Sequence, residues 1–371
     1  MKRLYKLFMV LLMVCFSFTI VACKEPQQQE EPKPVVDTVE VTGYEESVYF
    51  SDSFDESNIE VEVTFKDGTS KKYGTSDLEF DYTYFDSSSL GEQIVTVKVV
   101  PLDVTEDITV EVVRKVVKVL MISNSFGDDT IQWVHEIAYE LGYDFTITNL
   151  YIGGCTLDTH LANLQQNKGA YEYRTYSKKT NQWSSKSGVS IKKALESEDW
   201  DYVSLQQGSW ASGKEEEFVP LGRLMDGILE IKSDTKFIWN MTWAYQVDSN
   251  HASFYLYNNN QMEMYNAIVN CVKTKVLTDD RLLMVVPNGT AVQNARTSFL
   301  GDKLCRDQYC HLTYDLGRYI AGLTMVATVT GVDITNIKYA PEGVEPLGKA
   351  VAIESVKNAL LNPYSVTNSK Y

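Results

Sequence analysis

Positive charge, thiols and imidazoles are all scarce in this 371-residue chain, which has 34 lysines and arginines against 50 acidic residues, six cysteines and four histidines. The charge deficit is concentrated, because residues 36–113 hold 19 acidic and 4 basic side chains. Such a surface repels nucleic acid, teichoic acid and anionic membrane, which argues against a nucleic-acid partner. The cysteines follow no zinc-binding spacing, so no metal is expected. Cys305 and Cys310 could pair in an oxidising compartment or stay free thiols. With four histidines, the choice of a catalytic base is short: His135, His160, His251 or His311.

Long apolar runs are missing too, save one at the N-terminus. Lys2, Arg3 and Lys6 precede an apolar stretch from Leu7 to Phe16, and Ile20-Val21-Ala22-Cys23 follows. The stretch is short for a membrane span and has signal-peptide length. The segment resembles a bacterial lipoprotein lipobox. That resemblance implies a signal peptide over residues 1–22, a lipid on Cys23, and an extracytoplasmic protein attached to the membrane. Residues 23–35, ending KEPQQQEEPKPV, carry no apolar periodicity and read as a flexible tether.

Residues 36–113 alternate apolar and polar side chains with period two in DTVEVTG, IEVEVTF and EQIVTVKVV, and Asp67-Gly68 is a hairpin signal. A small all-β sandwich is expected. The segment resembles bacterial immunoglobulin-like domains, which implies a spacer or a weak carbohydrate contact.

From residue 114 to 364 the pattern changes. VVKVLMI is a nearly continuous apolar run, as in a parallel strand buried on both faces. A helix is expected from about Asp129 to Leu141, capped by Asp128 or Asp129. DFTITNLYI, DWDYVSLQQ, TKFIWNMTW and DRLLMVVP read as further strands, with IKKALES, LGRLMDGILEIK and QMEMYNAIVNCVKTKVL as helices. Alternating strands and helices predict a three-layer α/β domain with a parallel sheet. Residues 365–371 form a tail.

Ligands of such sheets bind beyond the carboxyl ends of the strands, where Ser125 falls in SNSF. A serine between strand and helix start has its hydroxyl exposed and helix amides nearby. It needs a base. His135 beside an apolar stripe reads as structural, and His251 in an Asn-rich stretch reads as solvated. His311, with Asp307 four residues before it, fits a base with an orienting acid. His160 could line the pocket. Gly153-Gly154 allows a backbone amide to approach a ligand, and Gln206-Gln207 ends another strand with amide donors. Trp243 and Tyr245 could line the same cleft. Residues 168–187, rich in tyrosine with Trp183, read either as a hairpin lid or as a loop packed on the domain.

In this order the residues resemble the SGNH (GDSL-like) hydrolases. The resemblance implies a flavodoxin-like fold and no cofactor, with Ser125 as nucleophile, Gly154 and Gln207 (or Gln206) as oxyanion donors, and His311 as base. Asn124 would hold the turn beside substrate. The family's D-x-x-H is here one residue longer, Asp307-x-x-x-His311. More closely, N-S-F, NLYIGGCTL, WDYVSLQQGS, TWAY and GRYIAGLT resemble domain of unknown function 4886 across residues 116–361. The implied function is a serine ester hydrolase acting on acyl groups, acetyl above all, of glycan or small-molecule esters. Two alternatives stand beside it: a catalytically inactive carbohydrate-binding lipoprotein on the same fold, and a cysteine hydrolase using Cys155 and His160.

Overall fold

The computed structural model describes residues 34–177 and 182–371. The expected signal peptide, Cys23, most of the tether and the tip of the 168–187 insertion lie outside the described residues.

The N-terminal region is β-rich. Strands β1 (Val36–Thr42), β3 (Glu60–Phe65) and β4 (Ser70–Tyr73) form one antiparallel sheet. A second sheet has the order β2 (Ser47–Tyr49), β7 (Val104–Val113), β6 (Gly91–Val99) and β5 (Leu78–Asp81). The Asp67-Gly68 turn joins β3 to β4, with Gly68 at φ +83°. Period two is visible in β6 and β7, where Val95, Val97, Ile108 and Val110 are buried between more exposed neighbours. The chain divides into two compact units. One draws on Glu56–Phe80 and Thr96–Glu106 with residues up to Tyr44, and the other on Glu45–Asp55, Asp81–Val95 and Asp107–Tyr371.

The second unit contains a seven-stranded sheet. Five strands are parallel: β9 (Tyr143–Tyr151), β8 (Lys115–Ser123), β12 (Tyr202–Leu205), β13 (Phe237–Asn240) and β14 (Leu282–Val286), in that order. By chain order this is 2-1-3-4-5, the flavodoxin-like arrangement, whose switch point lies beside β8. β10 (Tyr171–Ser177) and β11 (Gln182–Val189) add an antiparallel hairpin to the β9 edge. The described residues of the 168–187 insertion therefore extend the sheet and do not form a separate lid.

Val119, Leu120, Met121 and Ile122 of β8 are fully buried, as their unbroken apolar run requires. Helices α1 (Ser125–Ile131), α2 (Val134–Glu140), α7 (Asn288–Arg296), α9 (Leu316–Thr330) and α10 (Pro346–Leu361) pack together. Helices α3 (Leu157–Gln165), α4 (Ile191–Leu195) and α5 (Leu221–Leu229) form the other group, and α6 (Gln261–Cys271) precedes β14. The first helix corrects the expectation of a start near Asp129. It begins at Ser125, because the Asn124 side chain accepts the Phe126 N–H at 3.0 Å and caps it.

Candidate active site

Ser125 opens α1 immediately beyond β8, so its hydroxyl stands at the switch point. The helix can start this close to the strand because residue 127 is glycine. A Cβ there would lie 1.9 Å from Ser123 Oγ. That hydroxyl donates to Asn149 Oδ1 at 2.6 Å, which ties β8 to β9.

A row of buried amides crosses the carboxyl edge of the sheet. Asn124 Oδ1 accepts from Gln206 Nε2 at 2.8 Å, Gln206 Oε1 accepts from Asn240 Nδ2 at 2.7 Å, and Asn240 Oδ1 accepts from Asn288 Nδ2 at 2.7 Å. The four residues stand at the ends of β8, β12, β13 and β14, and none is more than 1% exposed. Buried amides are costly unless bonded, and here each satisfies the next as far as Asn288, whose own Oδ1 has no partner among the described residues.

His311 comes from a small hairpin of β15 (Cys305–Arg306), the turn α8 (Asp307–Cys310) and β16 (His311–Leu312). Its Nε2 lies 2.8 Å from Ser125 Oγ, across 186 residues of chain. When the serine hydroxyl donates, the ring proton sits on Nδ1, which faces the Cys310 sulfur at 3.7 Å. Burial above all, then the charges of Arg306, Arg318 and His251, push the imidazole down to about 4, so it is neutral and able to accept a proton near pH 7.

Asp129 fixes that hairpin against α1. It sits one turn after Ser125, is 1% exposed, and accepts the Leu312 N–H at 2.8 Å. Its other oxygen lies 2.6 Å from Arg318 of α9. Burial lifts its carboxyl to about 6 against the pull of Arg318.

Several expectations need correction. Asp307 does not orient His311. It is 60% exposed and pairs with Arg306, and among the described residues no carboxylate bonds His311 Nδ1. The Gln207 amide is occupied: its Oε1 accepts from Leu157 and Gly208 N–H, and its Nε2 donates to the Glu217 carbonyl at 2.7 Å. Gln206 and Asn124 belong to the amide row and are buried away from any substrate. Trp243 and Tyr245 are likewise buried, Trp243 under Phe126 and Tyr245 against Ser209 at 2.8 Å. His160 is fully buried, with Nδ1 2.9 Å from the Tyr171 hydroxyl and 3.5 Å from Cys155 Sγ. Burial pushes His160 down to about 3 and the Cys155 thiol up to about 12, the opposite of a thiolate–imidazolium pair. All four described cysteines are free, so Cys305 and Cys310 are not bridged. His251 is half-buried against Tyr245 instead of solvated.

Gly154 is exposed at φ +64°, and among the described residues neither its N–H nor that of Ser125 finds an acceptor. The cleft beside Ser125 and His311 has a volume of about 600 Å³. Ser125, His311, Tyr151, Arg174, Trp183, Arg306 and Tyr314 are among the residues that line it.

The model of DUF4886, a domain of unknown function, matches residues 118–359. This chain belongs to the DUF4886 family. A crystal structure of a DUF4886 family protein from Bacteroides uniformis is 39% identical, with a TM-score of 0.66 over 68% of this chain and 98% of that one. Much fainter similarity extends to a putative SGNH hydrolase from Slackia heliotrinireducens, at 15% identity and TM-score 0.36 over 58% of this chain and 100% of that one. An acetyl xylan esterase is similarly remote, at 14% identity and TM-score 0.36 over 56% and 98%. No curated protein matches the chain. Within this DUF4886 chain, Asp129, Arg306 and Arg318 were not legible as site residues. The doublet Asp128-Asp129 reads as a helix cap, Arg306 belongs to no motif, and Arg318 lies within GRYIAGLT, where nothing local marks it as facing the cleft.

Proposed function

We propose that the protein is a serine ester hydrolase of SGNH type. Ser125 attacks the ester carbonyl as His311 Nε2 takes its proton, the imidazolium returns that proton to the departing alcohol as the ester C–O bond breaks, and water activated by His311 then cleaves the acyl-enzyme to the free acid and Ser125. The backbone amides of Ser125 and Gly154 are the donors for the tetrahedral oxyanion. The observation that carries this reading is the 2.8 Å separation of Ser125 Oγ from a neutral imidazole. The acyl group is short, acetyl above all, borne by carbohydrate or another cell-surface ester. The enzyme works outside the cytoplasm on a lipid anchor at Cys23, with the N-terminal β region as an immunoglobulin-like spacer or a weak carbohydrate contact.

Chromogenic acetyl, butyryl and octanoyl esters and acetylated glycans, assayed with the wild type beside Ser125→Ala, test this. Release by the wild type alone is expected, and equal release by both proteins would remove the case. A second reading, a glycan-binding protein on the same fold, is favoured by the lack of a carboxylate on His311 Nδ1. Labelling with a fluorophosphonate separates the two, since an inert Ser125 in folded protein would favour binding.

A further inference from the structure

We infer, building on that esterase reading, that the β10–β11 hairpin is a subsite for an uncharged sugar next to the scissile ester. Strand alternation puts Glu172 and Arg174 on one face of β10. The neighbours across the ladder are Tyr151 on β9, opposite Glu172, and Ser185 on β11, opposite Arg174. These residues and Trp183 line the cleft that contains Ser125. The Arg174 guanidinium lies 3.4 Å over the Tyr151 ring and pairs with both Asp128 and Glu172, the latter at 2.8 Å. Trp183 is set edge-on to Tyr176 at 5.5 Å and to His135 at 5.8 Å, so an amphipathic ring is held at the rim.

Charge bookkeeping selects the ligand class. Arg174, Arg306 and Arg318 are each already matched to a carboxylate. The lining holds four carboxylates, Asp128, Asp129, Glu172 and Asp307, against those three arginines, so it offers an anionic substrate no excess of positive charge. A neutral polyol only adds hydrogen bonds to the lone pairs and N–H groups left over. A long acyl chain finds no apolar tunnel, because Ile131 is the one aliphatic residue in the lining. At about 600 Å³ the cleft is larger than a short acyl group fills.

Calorimetric titration of the full chain carrying Ser125→Ala, which removes turnover, tests the subsite with cellohexaose, xylohexaose and hexagalacturonate. At least one neutral hexamer is expected to bind, and hexagalacturonate at least tenfold more weakly. Trp183→Ala, and separately Ser185→Trp to fill the groove, should each weaken neutral binding tenfold or more. Absence of neutral binding, preference for the uronate, or unchanged binding in both variants would overturn the inference. Failure of the wild type to cleave any ester while sugar binding persists would instead sink the esterase reading and leave the subsite standing.

Discussion

The indole of Trp243 lies flat on the ring of Phe126, with centroids 4.3 Å apart and planes 2° from parallel. The same indole donates from Nε1 to the Cys310 carbonyl at 2.8 Å. One side chain thus braces both the residue after the nucleophile and the residue before the base. Trp243→Phe keeps a ring there but leaves a buried carbonyl unpaired, at a cost of about 1–3 kcal/mol. The expected result is a lower kcat with KM nearly unchanged, measured on a short chromogenic ester. A change confined to KM would show that Trp243 touches substrate after all.

The acid limb of the rate profile should lie far below the ordinary histidine range. His311 is held down to about 4, mainly by burial and then by the positive charges of Arg306, Arg318 and His251. The base works only when neutral, so kcat/KM falls steeply as pH drops through about 4. Arg306→Gln removes one of those charges and should move the limb upward. A wild-type limb near 6.5 would contradict the described environment.

Asp129 and Asp307 should behave in opposite ways. Asp129→Ala strands Arg318, which is only 7% exposed, and breaking a buried pair costs about 3–5 kcal/mol. Chemical denaturation should report that loss, and Asp129→Asn, which still accepts from Leu312, should recover part of it. Asp307→Ala removes an exposed carboxylate, which should change stability by less than about 0.5 kcal/mol and leave the pH profile with its single acid limb. Loss of catalysis in folded Asp307→Ala would restore that residue as the orienting acid.

His160 should make the fold sensitive to acid. Burial holds its ring at about 3 in the folded state, whereas an unfolded histidine titrates near 6.5. Between those values the unfolded chain binds the extra proton, so stability rises with pH through this window and is complete above it. The slope for one such group is about 1.4 kcal/mol per pH unit. Urea midpoints at pH 4.5 and 7.5 should differ more for the wild type than for His160→Asn.

What could be read from the residues alone follows from the range of the interactions. The parallel strands were legible because burial on both faces forces an unbroken apolar run, as in VLMI at residues 119–122. Ser125 and His311 were legible because the turns that carry them are short and local. Asp129 was not, since its partners Leu312 and Arg318 are nearly two hundred residues away and an aspartate near a helix start has a simpler explanation. Gln206 and Gln207 misled for a related reason. Amides at strand ends suit an oxyanion, but they suit one another equally well, and only the fold decides which partner they meet. The tyrosine-rich insertion reads equally as a hairpin lid or a packed loop, because its attachment to the free edge of β9 depends on long-range pairing that no local pattern reports.

Because Asn124 is linked through Gln206 and Asn240 to Asn288, the reacting oxygen is moored to the frame of four strands and owes little to the loops above it. Insertions and substitutions in those loops can remodel what enters the cleft while the attacking group keeps its aim. Such a design separates what positions Ser125 from what shapes the cleft, so the two can vary independently.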